Sequence, residues 1–176
     1  ELVRKLDGGG VTWCIVRPTT VWGPGMNQHY LKFFRMVASG RYFHVGNKPL
    51  WKSYGYVGNV VYQYSKLLRA PSKKIYAKTF YLADYEPLSL REWSSMIGEE
   101  LGAEPIITVP EGIARIAARC GDLINLCGYK DFPFNSFRLD NVLSEYQVDL
   151  LETEEICGKL PYTLHQGVKE TAMWYR

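Results

Sequence analysis

A short apolar run between glycines and a proline constrains the fold of this chain more than any other feature. Residues 11–17 read Val-Thr-Trp-Cys-Ile-Val-Arg and lie between three consecutive glycines and Pro18. An apolar run of this length between turn residues predicts a strand that is buried on both faces. Leu2 and Leu6, four residues apart, predict the end of a helix before the glycines. Helix, glycine stop and buried strand in this order predict an α/β fold.

Helical and extended patterns alternate along the rest of the chain, which favours a mixed α/β architecture. Ser89-Leu-Arg-Glu92 has the spacing of a capping box, in which a serine hydroxyl accepts a hydrogen bond at the start of a helix. Two further helices are predicted from apolar residues at helical spacing. The first stripe contains Val60, Val61, Tyr64, Leu67 and Leu68, and the second contains Ile113, Ile116, Ala117, Cys120, Ile124 and Cys127.

Composition excludes several classes of function. The 176 residues are 47% hydrophobic and carry a net charge of +3, which is too small to predict a nucleic-acid or acidic-membrane partner. The four cysteines form no Cys-x-x-Cys pair, so we expect reduced thiols in a cytoplasmic protein. With three scattered histidines, the sequence predicts no metal site. No apolar run approaches the roughly 20 residues of a membrane span.

The sequence lacks the common catalytic motifs. It contains no GxGxxG loop after a strand, no P-loop, no GxSxG and no HExxH. Tyr62 and Lys66 have a Tyr-xxx-Lys spacing, in which a lysine lowers the pKa of a phenol for proton transfer. Because this spacing is common on helices, we interpret it here as a chance pairing. No catalytic residue is predicted within the chain.

The end of the first predicted strand is the best candidate for a binding site. A buried strand that runs into a rigid Pro/Gly loop places Thr19 and Thr20 at its carboxyl end, where α/β sheets bind ligands. Their hydroxyls could hydrogen-bond a polar ligand, and Trp22 could supply an apolar wall. An ordinary exit from a strand into a loop explains the same spacing equally well.

Five segments, in order, resemble the extended short-chain dehydrogenases/reductases, the NAD-dependent epimerase/dehydratase family. Arg17-Pro-Thr-Thr-Val-Trp-Gly-Pro-Gly25 resembles the family's RPxxVYGPG segment, and residues 52–61 are similar to its RDYxHVDDVA stretch. Residues 80–83 resemble the strand that follows, 87–92 the next helix start, and 160–175 the closing Pro-x-x-x-Leu-x-x-Gly pattern. The likeness covers the whole chain but only the second half of the family's pattern.

The resemblance implies a fold and a division into domains. The expected fold is the C-terminal part of a Rossmann-like parallel sheet plus a small mixed α/β substrate-binding lobe. Residues 1–23 would end the dinucleotide-binding domain, 24–53 and 84–176 would mainly form the lobe, and 54–83 would return to the sheet. The glycine-rich loop and the catalytic Tyr-xxx-Lys pair would precede Glu1, so the chain alone is expected to be inactive.

The resemblance also implies binding residues. Pro18 and Thr19 would border the nicotinamide of NAD or NADP, which the preceding half would mainly bind. Thr20 would sit where the family commonly has an asparagine in contact with the substrate. Phe43 and Val45 would lie along the wall of the nucleotide base.

One further residue, Lys52, would meet the diphosphate, and it departs from the family. It stands where the family has an arginine, so it offers a point charge instead of a bidentate fork. Thr20 has a shorter polar reach than asparagine, and Gly58-Asn59 replaces an acidic pair. These departures affect how the diphosphate and the substrate would be held.

Three functions remain open at this point. The first is the substrate-binding half of an NAD(P)-dependent nucleotide-sugar epimerase, dehydratase or reductase, with a possible homodimer in the full-length protein. The second is a hydroxysteroid-dehydrogenase-like enzyme of the same fold, which the aromatic residues Phe33, Phe34, Tyr42 and Phe43 would suit. The third is a non-catalytic NAD(P)-binding sensor or interaction module.

Overall fold

The chain folds into two compact units. The computed structural model describes residues 2–129, 132 and 134–176. The first unit comprises Glu1–Leu31, Lys52–Leu88 and Gln147–Arg176, and the second comprises Lys32–Trp51 and Ser89–Tyr146. What each unit binds, and the domain boundaries that the resemblance implies, stay predictions. Within the described ranges, no helix combines the length and apolarity needed to cross a membrane.

Short strands alternate with helices along the described chain. The helices are α1 (Leu2–Lys5), α2 (Gln28–Ala38), α3 (Val57–Leu68), α4 (Ser72–Ile75), α5 (Leu90–Leu101), α6 (Glu111–Leu126), α7 (Ser136–Leu143), α8 (Leu151–Cys157) and α9 (Leu164–Tyr175), with a 3-10 turn at Asp7–Gly10. The strands are β1 (Ile15–Pro18), β2 (Thr20–Trp22), β3 (His44–Val45), β4 (Trp51–Lys52), β5 (Tyr54–Tyr56), β6 (Thr79–Leu82), β7 (Leu88–Ser89) and β8 (Thr108–Val109).

Parallel strand pairs organise both units. In the first unit β1 pairs with β6, Ile15 opposite Thr79, and β2 pairs with β5, Thr20 opposite Tyr54. In the second unit β3 pairs in parallel with β8. Parallel strands need a crossover connection between them, and here helices lie within those connections. This is the α/β architecture that the sequence predicts.

The first strand is less buried than its sequence predicts. Ile15 and Val16 are half-buried, Arg17 and Pro18 are exposed, and Cys14 is half-buried. In the part of the chain that the structure describes, β6 is the ladder partner of β1 on one side and the other edge is unpaired. The prediction of a strand buried on both faces was therefore wrong for this chain, because a single neighbouring strand covers only part of its surface.

The core of the first unit contains polar residues that the apolar pattern did not predict. Val60 and Leu67 of α3 pack with Phe80, Leu82 and Cys157. The buried face of α3 also includes Asn59 and Gln63, whereas Val61, Tyr64 and Leu68 of the predicted stripe are exposed. The Gln63 Nε2 donates a hydrogen bond of 2.8 Å to the carbonyl oxygen of Ala83, whereas its buried Oε1 has no hydrogen-bond partner among the described residues.

Aromatic side chains form much of the core of the second unit. Phe34 is fully buried, and the ring of Phe33 stacks on Trp93 with centroids 4.9 Å apart. The predicted cap of α5 is confirmed, since the Ser89 hydroxyl accepts a hydrogen bond from the backbone N–H of Glu92. The helix ends at Gly102, which adopts the left-handed conformation that glycine favours.

Helix α6 packs through its small residues instead of its predicted stripe. Ala114, Ala118 and Gly121 are buried, and the two alanines cluster with Leu139 of α7. The predicted stripe, including Ile113 and Ile116, is exposed. Small side chains let a helix backbone approach its neighbour closely, so the face of α6 that packs inward is the less hydrophobic one.

Candidate functional site

The candidate site in the first unit begins where β1 ends. The backbone N–H of Thr19 donates to the carbonyl oxygen of Leu82 at 3.0 Å, and its Oγ1 donates to the same oxygen at 3.2 Å. The hydroxyl proton of Thr19 is thus committed to the backbone, and its oxygen remains able to accept a hydrogen bond. Pro18 exposes its ring beside it. The two residues therefore present an apolar ring and a hydrogen-bond acceptor.

Thr20 is paired with a tyrosine that sequence reasoning missed. Its Oγ1 lies 2.9 Å from the phenolic oxygen of Tyr30, and the Tyr30 ring packs edge-on against Tyr54. Either hydroxyl of the Thr20–Tyr30 pair can donate, so the pair can both donate to and accept from a ligand hydroxyl. Asn27 begins α2 by accepting hydrogen bonds from the N–H groups of His29 and Tyr30. A helix start at Asn27 is the signal that could have placed Tyr30 beside the loop.

The Pro/Gly loop after β2 borders a cavity. The cavity has a volume of about 230 Å³ and is lined by Val21, Trp22, residues 23–27 and Val57. Trp22, for which the sequence predicts an apolar wall, is one of the lining residues. A cavity of this size can hold a small ring.

Lys52, the predicted diphosphate contact, lies in the first unit with Pro18, Thr19 and Thr20. Only 6% of Lys52 is exposed. A buried ammonium group is costly unless polar or negative groups compensate for the lost hydration. Lys52 has an interaction partner of its own within the chain, and its role at a diphosphate stays a prediction.

Phe43 and Val45, the predicted base wall, belong to the second unit. The Phe43 ring packs against Phe134 with centroids 5.7 Å apart, and Val45 packs against the Ala114–Ala118 cluster. Val45 also lines a small pocket together with Tyr42, His44 and Arg91 (and Lys48, Leu50, Leu90 and Val142). Sequence reasoning missed His44 and Arg91 because each stands alone, without a recognisable motif.

The pocket in the second unit holds a neutral histidine beside a fixed cation. Arg91 donates from Nη2 to the Gly46 carbonyl at 2.7 Å and from Nη1 to the Thr108 hydroxyl at 3.1 Å. Burial, with a smaller contribution from the Arg91 charge, lowers the pKa of His44 to about 4. At neutral pH the pocket therefore offers an uncharged imidazole next to an immobile guanidinium.

The lowered pKa of His44 predicts a loss of stability in mild acid. The unfolded chain takes up a proton near the ordinary pKa of about 6.5, whereas the folded chain resists protonation until about pH 4. We expect the free energy of unfolding of the second unit to fall by roughly 2 kcal/mol between pH 7 and pH 5. Urea denaturation at several pH values measures this. His44→Gln should remove this decrease, whereas the control His29→Gln, which replaces an exposed histidine, should retain it. An unchanged pH dependence of the free energy of unfolding in His44→Gln would contradict the lowered pKa of His44.

The Tyr62–Lys66 pair makes contacts that do not suit proton transfer. The Lys66 ammonium lies 5.2 Å from the centroid of the Tyr62 ring, and the Tyr62 hydroxyl donates to the carbonyl oxygen of Cys157 at 3.2 Å. The ammonium therefore faces the ring, and the hydroxyl proton is held by a backbone carbonyl. These contacts agree with reading the pair as a chance spacing.

Comparison with known proteins identifies the family. The model of the 3-beta hydroxysteroid dehydrogenase/isomerase family matches residues 4–109. An N-acetyl-alpha-D-glucosaminyl-diphospho-ditrans,octacis-undecaprenol 4-epimerase of Escherichia coli O157:H7 is 23% identical over 163 residues, 91% of this chain and 48% of the relative. A 3beta-hydroxysteroid-dehydrogenase/decarboxylase of Arabidopsis thaliana is 24% identical over 184 residues, 97% of this chain and 42% of the relative.

A solved structure supports the fold. The UDP-glucuronic acid 4-epimerase from Bacillus cereus in complex with NAD superposes with a TM-score of 0.65 at 12% identity, over 99% of this chain and 48% of that one. The predicted α/β fold with part of a Rossmann-like parallel sheet is thereby confirmed. The chain spans about half the length of the curated relatives it matches. It belongs to the 3-beta hydroxysteroid dehydrogenase/isomerase family, and the resemblance to short-chain dehydrogenases/reductases seen in the sequence is confirmed.

Proposed function

We propose that this chain is the substrate-binding half of an NAD(P)-dependent nucleotide-sugar epimerase, dehydratase or reductase. The observation that carries the proposal is the Thr20–Tyr30 hydroxyl pair, with oxygens 2.9 Å apart, at the position where the resemblance implies a substrate contact. The Escherichia coli relative is named for a diphospho-linked sugar and the Bacillus cereus protein for a UDP-sugar acid. All of these ligands combine a diphosphate with a sugar hydroxyl, which is the chemistry that Lys52 and the Thr20–Tyr30 pair suit.

The role of this chain is orientation. The Thr20–Tyr30 pair would hydrogen-bond a sugar hydroxyl, and Lys52 would hold the negative charge of the diphosphate. The exposed Pro18 ring and the acceptor oxygen of Thr19 fit the border of a nicotinamide ring and its amide. When bound, NAD(P) would exchange a hydride with the carbon that carries the reacting hydroxyl group of the substrate. Precise positioning can contribute a large share of the rate enhancement, so a half that only orients still matters to the reaction.

Removing the Lys52 charge is expected to weaken substrate binding. In the full-length protein loaded with NAD, Lys52→Met should raise the Kd for UDP-N-acetylglucosamine at least about tenfold, because one charge-assisted contact is lost. Isothermal titration calorimetry measures the Kd. Lys52→Arg keeps the charge and should bind within a few-fold of the natural protein.

Controls separate a binding effect from misfolding. Lys32→Met removes an exposed lysine of α2 and should leave the Kd unchanged. Equal melting temperatures for the three variants would show that each one folds. Unchanged binding by Lys52→Met would exclude Lys52 as the diphosphate contact.

A hydroxysteroid-dehydrogenase-like enzyme is the second candidate, and the family match favours it. The aromatic residues that suit an apolar substrate argue against it here, because Phe33 and Phe34 pack against Trp93 in a core. Titration with dehydroepiandrosterone distinguishes the two: binding of the steroid without the UDP-sugar would favour the second candidate. Binding of NAD(P) without binding of either substrate would favour the third candidate, a non-catalytic NAD(P)-binding sensor or interaction module. A cytoplasmic location, a homodimer and inactivity of the isolated chain remain predictions.

A further inference from the structure

The small pocket in the second unit holds polar groups that the proposed function does not use. We call it the His44–Arg91 pocket, and its walls include His44, Val45, Lys48, Leu50, Leu90 and Arg91. His44 is 6% exposed, and neither nitrogen of its ring makes a hydrogen bond to another described residue. Buried polar side chains are nearly always hydrogen-bonded, so His44 leaves one donor and one acceptor for a group that enters the pocket.

Arg91 is fixed in the same pocket without an acidic partner. A guanidinium group has five N–H donors, and the hydrogen bonds to the Gly46 carbonyl and the Thr108 hydroxyl use two of them. Both acceptors are neutral, and no carboxylate of the described residues forms an ion pair with Arg91. The two bonds tie the guanidinium to the end of β3 and the start of β8. Its charge is therefore held in place, and its remaining donors are available to a ligand.

The charges around the pocket favour an anion. Among its lining residues Lys48 and Arg91 are basic and none is acidic. Two neighbouring carboxylates have cations of their own. Glu145 lies 3.7 Å from the Lys48 ammonium group, and Glu111 lies 2.8 Å from the guanidinium of Arg115. The positive charge of Arg91 is thus left unbalanced, and a pocket with unbalanced positive charge attracts anions and repels cations.

The size of the pocket limits the anion to a small group. Its volume of about 20 Å³ exceeds the roughly 10–15 Å³ that one bound water needs, so it admits a few heavy atoms and excludes a sugar or a nucleotide base. A carboxylate is such a group, and its two oxygens match the planar fork of an arginine. The neutral imidazole of His44 can donate one more N–H to the same group. Val45, Leu50 and Leu90 supply apolar walls, which strengthen an ionic contact by excluding water.

We propose that the His44–Arg91 pocket binds the carboxylate group of a small organic acid, with Arg91 as the charged contact and the His44 ring as a second donor. The site lies wholly within the second unit, and the proposal is independent of the substrate proposed above. Because Arg91 of α5 also bonds to Gly46 and Thr108, a carboxylate bound to it reinforces the contact between β3, β8 and α5. Occupancy should therefore stabilise the second unit against unfolding.

NMR titration of the full-length protein with sodium acetate tests the proposal. The ionic strength is held constant with sodium chloride at neutral pH, and the amide signals of the residues around the pocket report the Kd. Acetate should shift these signals saturably, whereas inorganic phosphate, which is larger and tetrahedral, should not. Arg91→Met should raise the Kd for acetate at least about tenfold, because the charge-assisted contact is lost.

A second variant keeps the bonds that Arg91 makes within the fold. His44→Phe retains an aromatic ring but has no ring nitrogen, and it should raise the Kd for acetate at least about threefold, because one neutral hydrogen bond is lost. Melting temperatures measured without acetate show whether each variant folds. If Arg91→Met does not fold, His44→Phe decides the question.

The matched control is Arg119→Met, which removes an exposed arginine of the same unit that does not line the pocket. It should change the Kd for acetate less than about twofold. Absence of a saturable shift with acetate would overturn the proposal. So would an unchanged Kd in the folded pocket variants, or binding of phosphate without binding of acetate. Lys52→Met should bind acetate as the natural protein does, which separates this test from that of the proposed function.

Discussion

Replacing Tyr56 with alanine is expected to lower the free energy of unfolding of the first unit by about 3–5 kcal/mol. The side chain is 2% exposed, and its ring lies 5.1 Å from the ring of Trp22 and 5.2 Å from that of Tyr162, measured between centroids. Truncation would remove these aromatic contacts and leave a cavity that rigid rings cannot easily close. Urea denaturation, followed by tryptophan fluorescence, measures the change.

Three glycines show how closely the Tyr56 ring is enclosed. A Cβ atom on Gly58 or Gly167 would lie 2.8 Å from a ring carbon of Tyr56, and one on Gly23 would lie 3.0 Å away. These distances are too short for real contacts, so the ring fills space that only glycines leave open. The packing around the ring comes from three separate parts of the sequence, which is why its loss should affect the whole unit.

The matched variant is Tyr56→Phe. It keeps the ring and removes only the hydrogen bond that the Tyr56 hydroxyl donates to the carboxylate of Glu170, an exposed residue. We expect this variant to lose no more than about 1 kcal/mol. If Tyr56→Ala were as stable as Tyr56→Phe, the ring would not be a packing centre, and the first unit would be held together elsewhere.

The segments that carried the family resemblance meet at this ring. Gly23 comes from the segment at residues 17–25, Tyr56 from the segment at 52–61, and Gly167 from the closing pattern. Sequence reasoning could predict that these segments belong to one α/β fold, because each has local turn, strand or helix chemistry. It could not predict their convergence, since packing across distant segments leaves no trace in local spacing.

Burial was the least predictable property, for two physical reasons. Periodicity identifies an apolar face but not whether another element covers it, and the apolar stripe of α6 is exposed. Polar residues can enter the core when most of their hydrogen-bonding groups find partners. Asn59 is an example, because its side chain donates to Asp84 at 2.7 Å and to the Tyr162 carbonyl at 3.0 Å, and accepts from the Tyr162 N–H at 3.0 Å. Hydrophobicity alone cannot reveal such pairing.

The candidate site was predictable in part. Thr19 follows β1 directly, as the turn chemistry of the Pro/Gly loop predicts, whereas Thr20 begins the short strand β2. The partner Tyr30 and the pair of His44 and Arg91 could not be predicted, because each depends on contacts between residues far apart in the sequence or hidden in a helical pattern. Polar residues without a motif can be assigned to a site only once the fold is known.

Replacing Gly121 with alanine is expected to lower the free energy of unfolding of the second unit by about 3 kcal/mol. Gly121 lies within α6, and a Cβ atom there would overlap the backbone carbonyl oxygen of Phe134 and touch the ring of Phe132. A backbone carbonyl cannot rotate away as a side chain can, so the segment around Phe134 would have to move. Thermal and urea denaturation of the purified variant measure the loss.

The same helix provides the matched control for this prediction. Gly112 also lies in α6, and apart from its chain neighbours and the backbone of its own helix, no atom of the described residues lies within 4 Å of a Cβ built on it. Alanine is a better helix former than glycine by up to about 1 kcal/mol, so Gly112→Ala should be neutral or stabilising, although its position in the first turn reduces the gain. The two substitutions are chemically identical and differ only in what faces the added methyl group. Opposite effects of the two substitutions on the free energy of unfolding would show that α6 packs inward through its small residues. Stabilisation by both variants would instead mean that α6 does not pack closely on residues 132 and 134.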